Sequence, residues 1–369
     1  MKISVILPCH NEERAIGACI DAISETLRGM DYEVIVSDSS DDASASIARA
    51  KGARVVKHRV GYGDACLSGF RAATGDVLVM GDSDATYDFK EIPLFLEEIE
   101  AGADIVIGSR FRGNIKAGAM STLHRYIGNP VLTGTLNLLF GSRLSDAHSG
   151  FRAMRRDAFD SLDLRTLGME FASEMIIKAI KQGLRIKEIP ITYGPRIGRS
   201  KLKSFNDGWK HLRFMLLASP DYVFLLPGSI LLTLGSLLLL FFLEGRIRAF
   251  GVTFDIHPMF VGSVLAVLGY QTILSWLFAK IYSLVHLGEK SGFTERFLKK
   301  MNLEWALLIG TAVFLVGAAA NLYILIQWLV SGFGALNTVR VALFASTLMI
   351  LGIQTIFSGF LISILGIKS

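Results

Sequence analysis

Hydrophobic positions follow two different rules along the 369-residue chain. In the first 221 residues, short apolar runs at 3–7, 33–36, 54–56, Val77–Met80 and 105–107 recur every 20 to 30 residues with helical patterns between them. Short β-rich runs alternating with helices imply an α/β unit built on a mainly parallel, doubly wound sheet. The first intervening helix shows the warrant: Ile16, Cys19, Ile20, Ile23 and Leu27 make one apolar stripe, with Asn11 as its cap and Glu12 and Glu13 in its first turn.

Beyond residue 221 the rule changes to long uninterrupted apolarity. The stretches 222–243, 258–278, 305–329 and 341–364 contain no Asp, Glu, Lys or Arg, and each is long enough to span a hydrocarbon core of about 30 Å. The connection carrying Lys290, Arg296, Lys299 and Lys300 is the most basic of the three, so it is expected on the cytoplasmic side, together with both chain ends. Just ahead of the first span, Phe205, Trp209, Leu212 and Leu216 recur at helical spacing while Lys203, Lys210 and Arg213 take other faces. That pattern predicts an interfacial amphipathic helix over 205–220, its alternative being a helix packed on the polar unit's own core. The expected organisation is a polar unit over 1–204, the surface helix, and a membrane unit over 221–369.

Composition agrees with this division. The chain is 51% hydrophobic and 19% charged, with a mean hydropathy of +0.45. Residues 222–369 hold 14 of its 71 charged residues. Disorder is excluded by the apolar content, and a disulfide framework by a count of three cysteines, Cys9, Cys19 and Cys66. The first apolar run is too short for a signal-peptide core, which places the polar unit in the cytoplasm as an expectation. A net charge of +5 with no aromatic-basic stripe gives no reason to expect nucleic acid.

In an open α/β sheet the ligand lies beyond the carboxyl ends of the strands. Here those ends are acidic: Pro8-Cys9-His10-Asn11-Glu12 follows the first run, Ser37-Asp38-Ser39-Ser40-Asp41-Asp42 the second, and Gly81-Asp82-Ser83-Asp84 the fourth. No G-x-G-x-x-G turn or G-x-x-x-x-G-K-[ST] loop occurs there, so dinucleotide and P-loop readings lose their basis. If the backbone stays extended past Met80, the Asp82 and Asp84 carboxylates project to the same side. Paired hard oxygens suit Mg²⁺ or Mn²⁺ carrying a diphosphate.

Pro8 to Glu12, the Asp38 to Asp42 cluster, Asp82-Ser83-Asp84 and the later Arg196-Ile-Gly-Arg-Ser200-Lys201 together resemble a family-2 glycosyltransferase of GT-A fold. The closest likeness is to the polyprenyl-phosphate transferases of the dolichol-phosphate mannose synthase type. The resemblance covers about residues 1–215, and the four spans match membrane-anchored prokaryotic members. It implies Pro8, Glu12 and Asp38 around the nucleotide base and ribose, and Asp82, Ser83 and Asp84 at the metal and donor diphosphate. Arg196, Ser200 and Lys201 would belong to a loop closing over that diphosphate. Arg125, Arg143, Ser145 and Arg152, in and near the Asp146-Ala-His-Ser149-Gly150-Phe151-Arg152 signature, would hold the acceptor phosphate, with Arg110 and Arg112 as further candidates. Gly61-Tyr62-Gly63 resembles the family's glycine turn near the donor sugar and reads equally as a simple strand-to-helix turn. Three positions depart from the family's pattern: His10 stands for Tyr, Ser37 for Asp and Thr86 for a Gln ligand.

The resemblance implies an inverting transfer of a hexose from a GDP-mannose or UDP-glucose type donor to a polyprenyl or dolichyl phosphate. A lipid phosphate is largely deprotonated at neutral pH, so no strong base is needed. Should one assist, Asp146 is the first candidate and Glu174 the second. The expected partners are a nucleotide sugar, the lipid phosphate and membrane lipid, with a homo-oligomer left open. Two rival readings compete with this one. A processive polysaccharide synthase usually carries Q-x-x-R-W, and no Trp here follows an Arg. A module that flips lipid-linked sugar needs ionisable groups at membrane depth, where these spans offer only Gln271, Asn321, Gln327 and Gln354.

Overall fold

A computed structural model describes residues 1–59, 61–198, 204–249, 251–286, 296, 303–334 and 338–366. The chain divides into two compact units, Met1–Ala218 and Ser219–Ser369.

The first unit runs β1 (Ile3–Cys9), α1 (Ile16–Thr26), β2 (Tyr32–Asp38), α2 (Ser44–Ala50), β3 (Arg54–Lys57), α3 (Tyr62–Ala72), β4 (Val77–Met80) and α4 (Ile92–Glu100). It continues through β5 (Ile105–Ile115), α5 (Asn129–Phe140), β6 (Arg152–Arg155), α6 (Arg156–Leu162), α7 (Phe171–Gln182), β7 (Ile186–Tyr193) and α8 (Ser204–Leu217). Every run expected to be a strand is one, and the seven strands form a single sheet in the order β3-β2-β1-β4-β6-β5-β7. The sheet is less parallel than the pattern suggested, because β6 lies antiparallel between β4 and β5. Its four residues, Arg-Ala-Met-Arg, carry no apolar run to betray them. The edge strand β7, which the pattern did not pick out, tolerates Pro190.

Alternation along β1 sends Val5 and Leu7 to one core with α1 and α4, and Ile6 to another with α3 and α7. Burying both faces in this way leaves only the strand ends open to solvent. The α1 stripe is buried as expected, but the helix starts at Ile16 and no side chain caps it. Asn11 is instead a left-handed loop residue with φ of 53°, and the Glu12 carbonyl accepts from Ala15 and Ile16 N–H.

Two helices of this unit keep apolar faces in solvent. In α8, His211 and Met215 are buried against the second core while Phe205 and Trp209 are exposed. A π-turn at His124–Gly128 leads directly into α5. Along this run Leu123, Ile127, Val131 and Leu138 form one exposed stripe, opposite the buried Thr133 and Leu136.

The second unit contains α9 (Leu226–Phe241), a hairpin of β8 (Ile247–Ala249) and β9 (Val252–Phe254), α10 (His257–His286), α11 (Leu303–Val330) and α12 (Val339–Leu365). Four helical segments, Asp221–Phe241, His257–Val285, Leu303–Val330 and Val339–Leu365, are long and apolar enough to cross a membrane. Helices α9 and α10 approach so closely that a Cβ on Gly235 would lie 2.3 Å from Ala266 N. Side-chain bonds join Ser263 to Thr347 at 2.7 Å, Tyr270 to Thr355 at 2.7 Å and Gln354 to Gln271 at 3.1 Å. Of the basic connection, Lys290, Lys299 and Lys300 lie outside the described residues.

Candidate active site

Strands β2, β1 and β4 are neighbours, so the three acidic ends converge. Hydrogen bonds stitch them together. Ser83 Oγ donates to the Pro8 carbonyl (2.7 Å), Asn11 N–H to Ser40 Oγ (2.7 Å), and Ser40 Oγ in turn to Asp38 Oδ1 (2.6 Å). His10 Nδ1 lies 3.0 Å from the Ser39 carbonyl. The result is a cleft of about 210 Å³ whose walls include Asn11, Glu12, Asp42 and Gly198.

Asp82 and Asp84 follow the end of β4, outside that lining, and not on an extended strand. β4 stops at Met80 and the chain turns through Ala85 at φ of 62°. Asp84 Oδ1 accepts from Thr86 N–H (3.1 Å) and Thr86 Oγ1 (2.6 Å), while Oδ2 pairs with Arg196 Nη1 at 3.0 Å. Asp82 Oδ1 accepts from the Tyr62 hydroxyl at 3.3 Å. Burial, reinforced by the Asp84 charge, pushes the Asp82 carboxyl well above the ordinary carboxylate range. Two crowded carboxylates, one of them costly to ionise, fit a divalent cation by both charge and donor chemistry. Among the described residues no group of three or more His, Cys, Asp or Glu side chains forms a fuller shell. Thr86 is spent on Asp84.

Arg196 reaches in from the segment after β7 and also pairs with Glu12, so one guanidinium bridges the β1 and β4 ends. Ile197 N–H donates to the Asp84 carbonyl at 3.0 Å, fixing the same segment. Ser200 and Lys201, expected on this loop, lie outside the described residues.

The signature segment around residue 146 behaves differently from its sequence reading. Asp146 is fully buried and clamped by Arg110, whose Nε and Nη2 donate at 2.7 and 2.8 Å and whose backbone N–H donates at 3.0 Å. Burial opposes the Arg110 charge, but Asp146 outweighs it and holds the guanidinium more firmly protonated than usual. A carboxylate so engaged positions its loop, and its fully buried ion pair with Arg110 makes it a poor acceptor for a substrate proton. Glu174, the second base candidate, is equally committed. It accepts from Arg165 and Thr166 N–H and Thr166 Oγ1 and pairs with Lys178 at 2.8 Å. Despite its burial those partners hold it below the ordinary range.

Arg152 is likewise removed from the acceptor set. It is fully buried and donates to the carbonyls of Ser149, Ala147 and Ala172 at 2.8, 2.8 and 3.1 Å, so it knots the signature loop to α7. Ser145 is held by Glu188, to which its N–H donates at 2.8 Å, and Arg112 pairs with Glu188 at 3.4 Å. Arg143 is exposed, and the Arg125 guanidinium lies 5.6 Å over the Tyr126 ring. Gly61 and Gly63 serve packing: a Cβ on either would fall within 2.4 Å of the Leu167 or Thr166 carbonyl oxygen.

The sequence reading missed Glu188, Tyr87 and a buried histidine pair. Tyr87 OH accepts from Gly150 N–H at 2.8 Å. Ser173 Oγ lies 3.2 Å from His148 Nε2 and 2.8 Å from His211 Nδ1, linking the signature loop to α8. None of these follows a recognisable spacing, since each depends on elements distant in sequence.

Acidic, arginine-bridged strand ends in a mixed α/β sheet, followed by four apolar helices, define a membrane protein of GT-A fold. The chain matches the "Glycosyl transferase family 2" description over residues 4–163 and "Glycosyltransferase family 2 C-terminal transmembrane region" over 277–366. It is 41% identical to the low-salt glycan biosynthesis hexosyltransferase Agl6 of Haloferax volcanii over 99% of this chain and 89% of that protein. This protein belongs to glycosyltransferase family 2, and it is a glycosyltransferase and a membrane protein. A dolichyl-phosphate hexose transferase of the same organism is 34% identical over 56% of this chain and 89% of its own length. The dolichol-phosphate mannosyltransferase of Pyrococcus furiosus is 32% identical over 55% of this chain and 60% of its own. Among solved structures, glucosyl-3-phosphoglycerate synthase of Mycobacterium tuberculosis, crystallised with Mn²⁺ and UDP, is similar at 26% identity and a TM-score of 0.49, covering 59% of this chain and 80% of that one.

Proposed function

We propose that this glycosyltransferase moves a hexose, with inversion at the anomeric carbon, from a nucleoside-diphosphate sugar to a polyprenyl or dolichyl phosphate. The observation that carries the reading is the Asp82/Asp84 pair bridged by Arg196 to Glu12, in a chain whose other unit has four membrane-capable helices. The relatives named for dolichyl-phosphate chemistry support it.

In this reading Pro8, Glu12 and Asp38 hold base and ribose, with Ser83 fixing the Asp82–Asp84 turn. Asp82 and Asp84 hold Mg²⁺ or Mn²⁺, which supplies neutralisation of the donor diphosphate when bound. Arg196, joined by Ser200 and Lys201, gives the departing diphosphate fixed positive charge. Arg125, Arg143 and Ser145 receive the acceptor phosphate. That phosphate is its own nucleophile, which accords with Asp146 and Glu174 both being locked in structural pairs. The enzyme's contribution is alignment and charge stabilisation rather than proton abstraction. Residues 1–204 form the catalytic domain on the cytoplasmic side, 205–220 the interfacial helix and 221–369 the membrane domain. The exposed stripes of α8 and of the run through α5 lie against lipid. Against a transport role, Gln271, Gln354 and Asn321 are occupied in hydrogen bonds between helices.

The test incubates the full-length protein in detergent with a panel of radiolabelled UDP- and GDP-sugars, a short polyprenyl phosphate and Mg²⁺ or Mn²⁺. One donor should yield chloroform-extractable label. No extractable label with any donor refutes the reading.

A further inference from the structure

The turn Gly61-Tyr62-Gly63 has a tyrosine where the two glycines only explain the backbone around it. Gly61 has φ of 142°, and a Cβ there would meet the Leu167 carbonyl oxygen at 2.3 Å. Asp64 N–H donates to that same carbonyl at 3.1 Å, so the start of α3 is pinned against the 166–168 segment. The pinned residue between the glycines aims its hydroxyl at Asp82 Oδ1, 3.3 Å away. Gly150 closes the arrangement from the other side: a Cβ on it would sit 2.9 Å from Asp82 Oδ2 and 3.2 Å from both the Tyr62 and Tyr87 hydroxyls. A phenol keeps its proton at neutral pH, so the Tyr62 hydroxyl is the donor in this bond.

We propose that Tyr62 is a positioning residue that fixes the rotation of the Asp82 carboxylate and thereby sets how tightly the site takes up a divalent cation. An aspartate has two side-chain torsions, and the second is broad unless a partner holds it. Tyr62 is that partner on Oδ1, and the missing Cβ at Gly150 leaves the space Oδ2 occupies. Phenylalanine in its place keeps the ring and loses only the bond. This inference rests on the reading of Asp82 as a cation ligand and adds the residue that orients it.

The test measures Mn²⁺ uptake by the full-length protein in detergent, using electron paramagnetic resonance with UDP and with GDP added separately, for wild type and Tyr62→Phe. Nucleotide binding without metal and the thermal midpoint are recorded alongside. The expected result is a loss of about tenfold in nucleotide-dependent Mn²⁺ affinity, the size of one hydrogen bond to a charged group, with metal-free nucleotide binding and thermal midpoint unchanged. Gly150→Ala, which crowds the same carboxylate from the opposite side, should give the same selective loss and serves if Tyr62→Phe does not fold. Unchanged Mn²⁺ affinity, or a parallel fall in metal-free binding, overturns the role of Tyr62. Absence of nucleotide-dependent Mn²⁺ uptake in the wild type instead sinks the cation assignment itself.

Discussion

At the scale of single residues the site separates side chains that face the cleft from side chains that build it. Asp84 pairs with Arg196, so Asp84→Ala should lower transfer by about 10² to 10³ with folding intact, as loss of a transition-state charge partner does. Steady-state kinetics with a circular-dichroism melt separates the two effects. Asp146→Asn should behave in the opposite manner. It leaves the buried Arg110 without its counter-charge, which costs about 3–5 kcal/mol of stability, and the drop should appear in the thermal midpoint before it appears in turnover per folded molecule. The acidic cleft residues were legible because short motifs after strands report their own location. Asp146 and Arg152 were not, because a sequence shows the charge of a residue and not the partner that consumes it. Arg110 and Asp146 are 36 positions apart.

At the scale of elements, the junction of α7, α8 and the signature loop carries a pH dependence. Burial first, then the neighbouring His211 and Arg152 charges, holds His148 well below the ordinary histidine range. Burial and Arg152 lower His211 from 6.5 to about 4. A depressed folded pKa means that the unfolded chain binds the proton first, so stability present above pH 6.5 is lost as the pH falls toward 4. Asp207 and Lys210 on α8 act on His211 with opposite signs and leave the direction unchanged. Thermal unfolding of the full chain between pH 7.5 and 4.5 should show this fall, and His211→Gln should flatten it. An equal slope in the variant contradicts the assignment. The exposed stripe ahead of and along α5 yields a second expectation at this scale. Ile127→Ser with Val131→Ser should leave the thermal midpoint unchanged and raise KM for the lipid acceptor several-fold, with KM for the donor unaffected. The five apolar strands and the α1 stripe were readable from periodicity. Strand β6 was not, since two of its four residues are arginines whose burial or pairing only the fold supplies. The stripe read on α8 divides between its two readings: Phe205 and Trp209 are exposed, while Leu212 packs on the second core beside Met215.

At the scale of the whole molecule, one chain joins a GT-A unit to four membrane-capable helices. Charge distribution and uninterrupted apolar length made that division visible in the sequence, because bilayer thickness imposes a minimum run that no soluble unit needs. In the proposed reading the donor's base is not legible, since no motif at the β1 and β2 ends is specific to one base. In the proposed reading the division explains access, because a phosphate whose tail stays in lipid would meet a water-borne sugar nucleotide at the boundary. The most direct measurement is chromatography of the lipid product formed from one accepted radiolabelled donor and polyprenyl phosphate, comparing wild type with Asp84→Ala. The account predicts a lipid-phosphate-linked sugar of inverted anomeric configuration from the wild type and a yield lower by about 10² to 10³ from the variant. A wild-type product that is water-soluble, or of retained configuration, would contradict it.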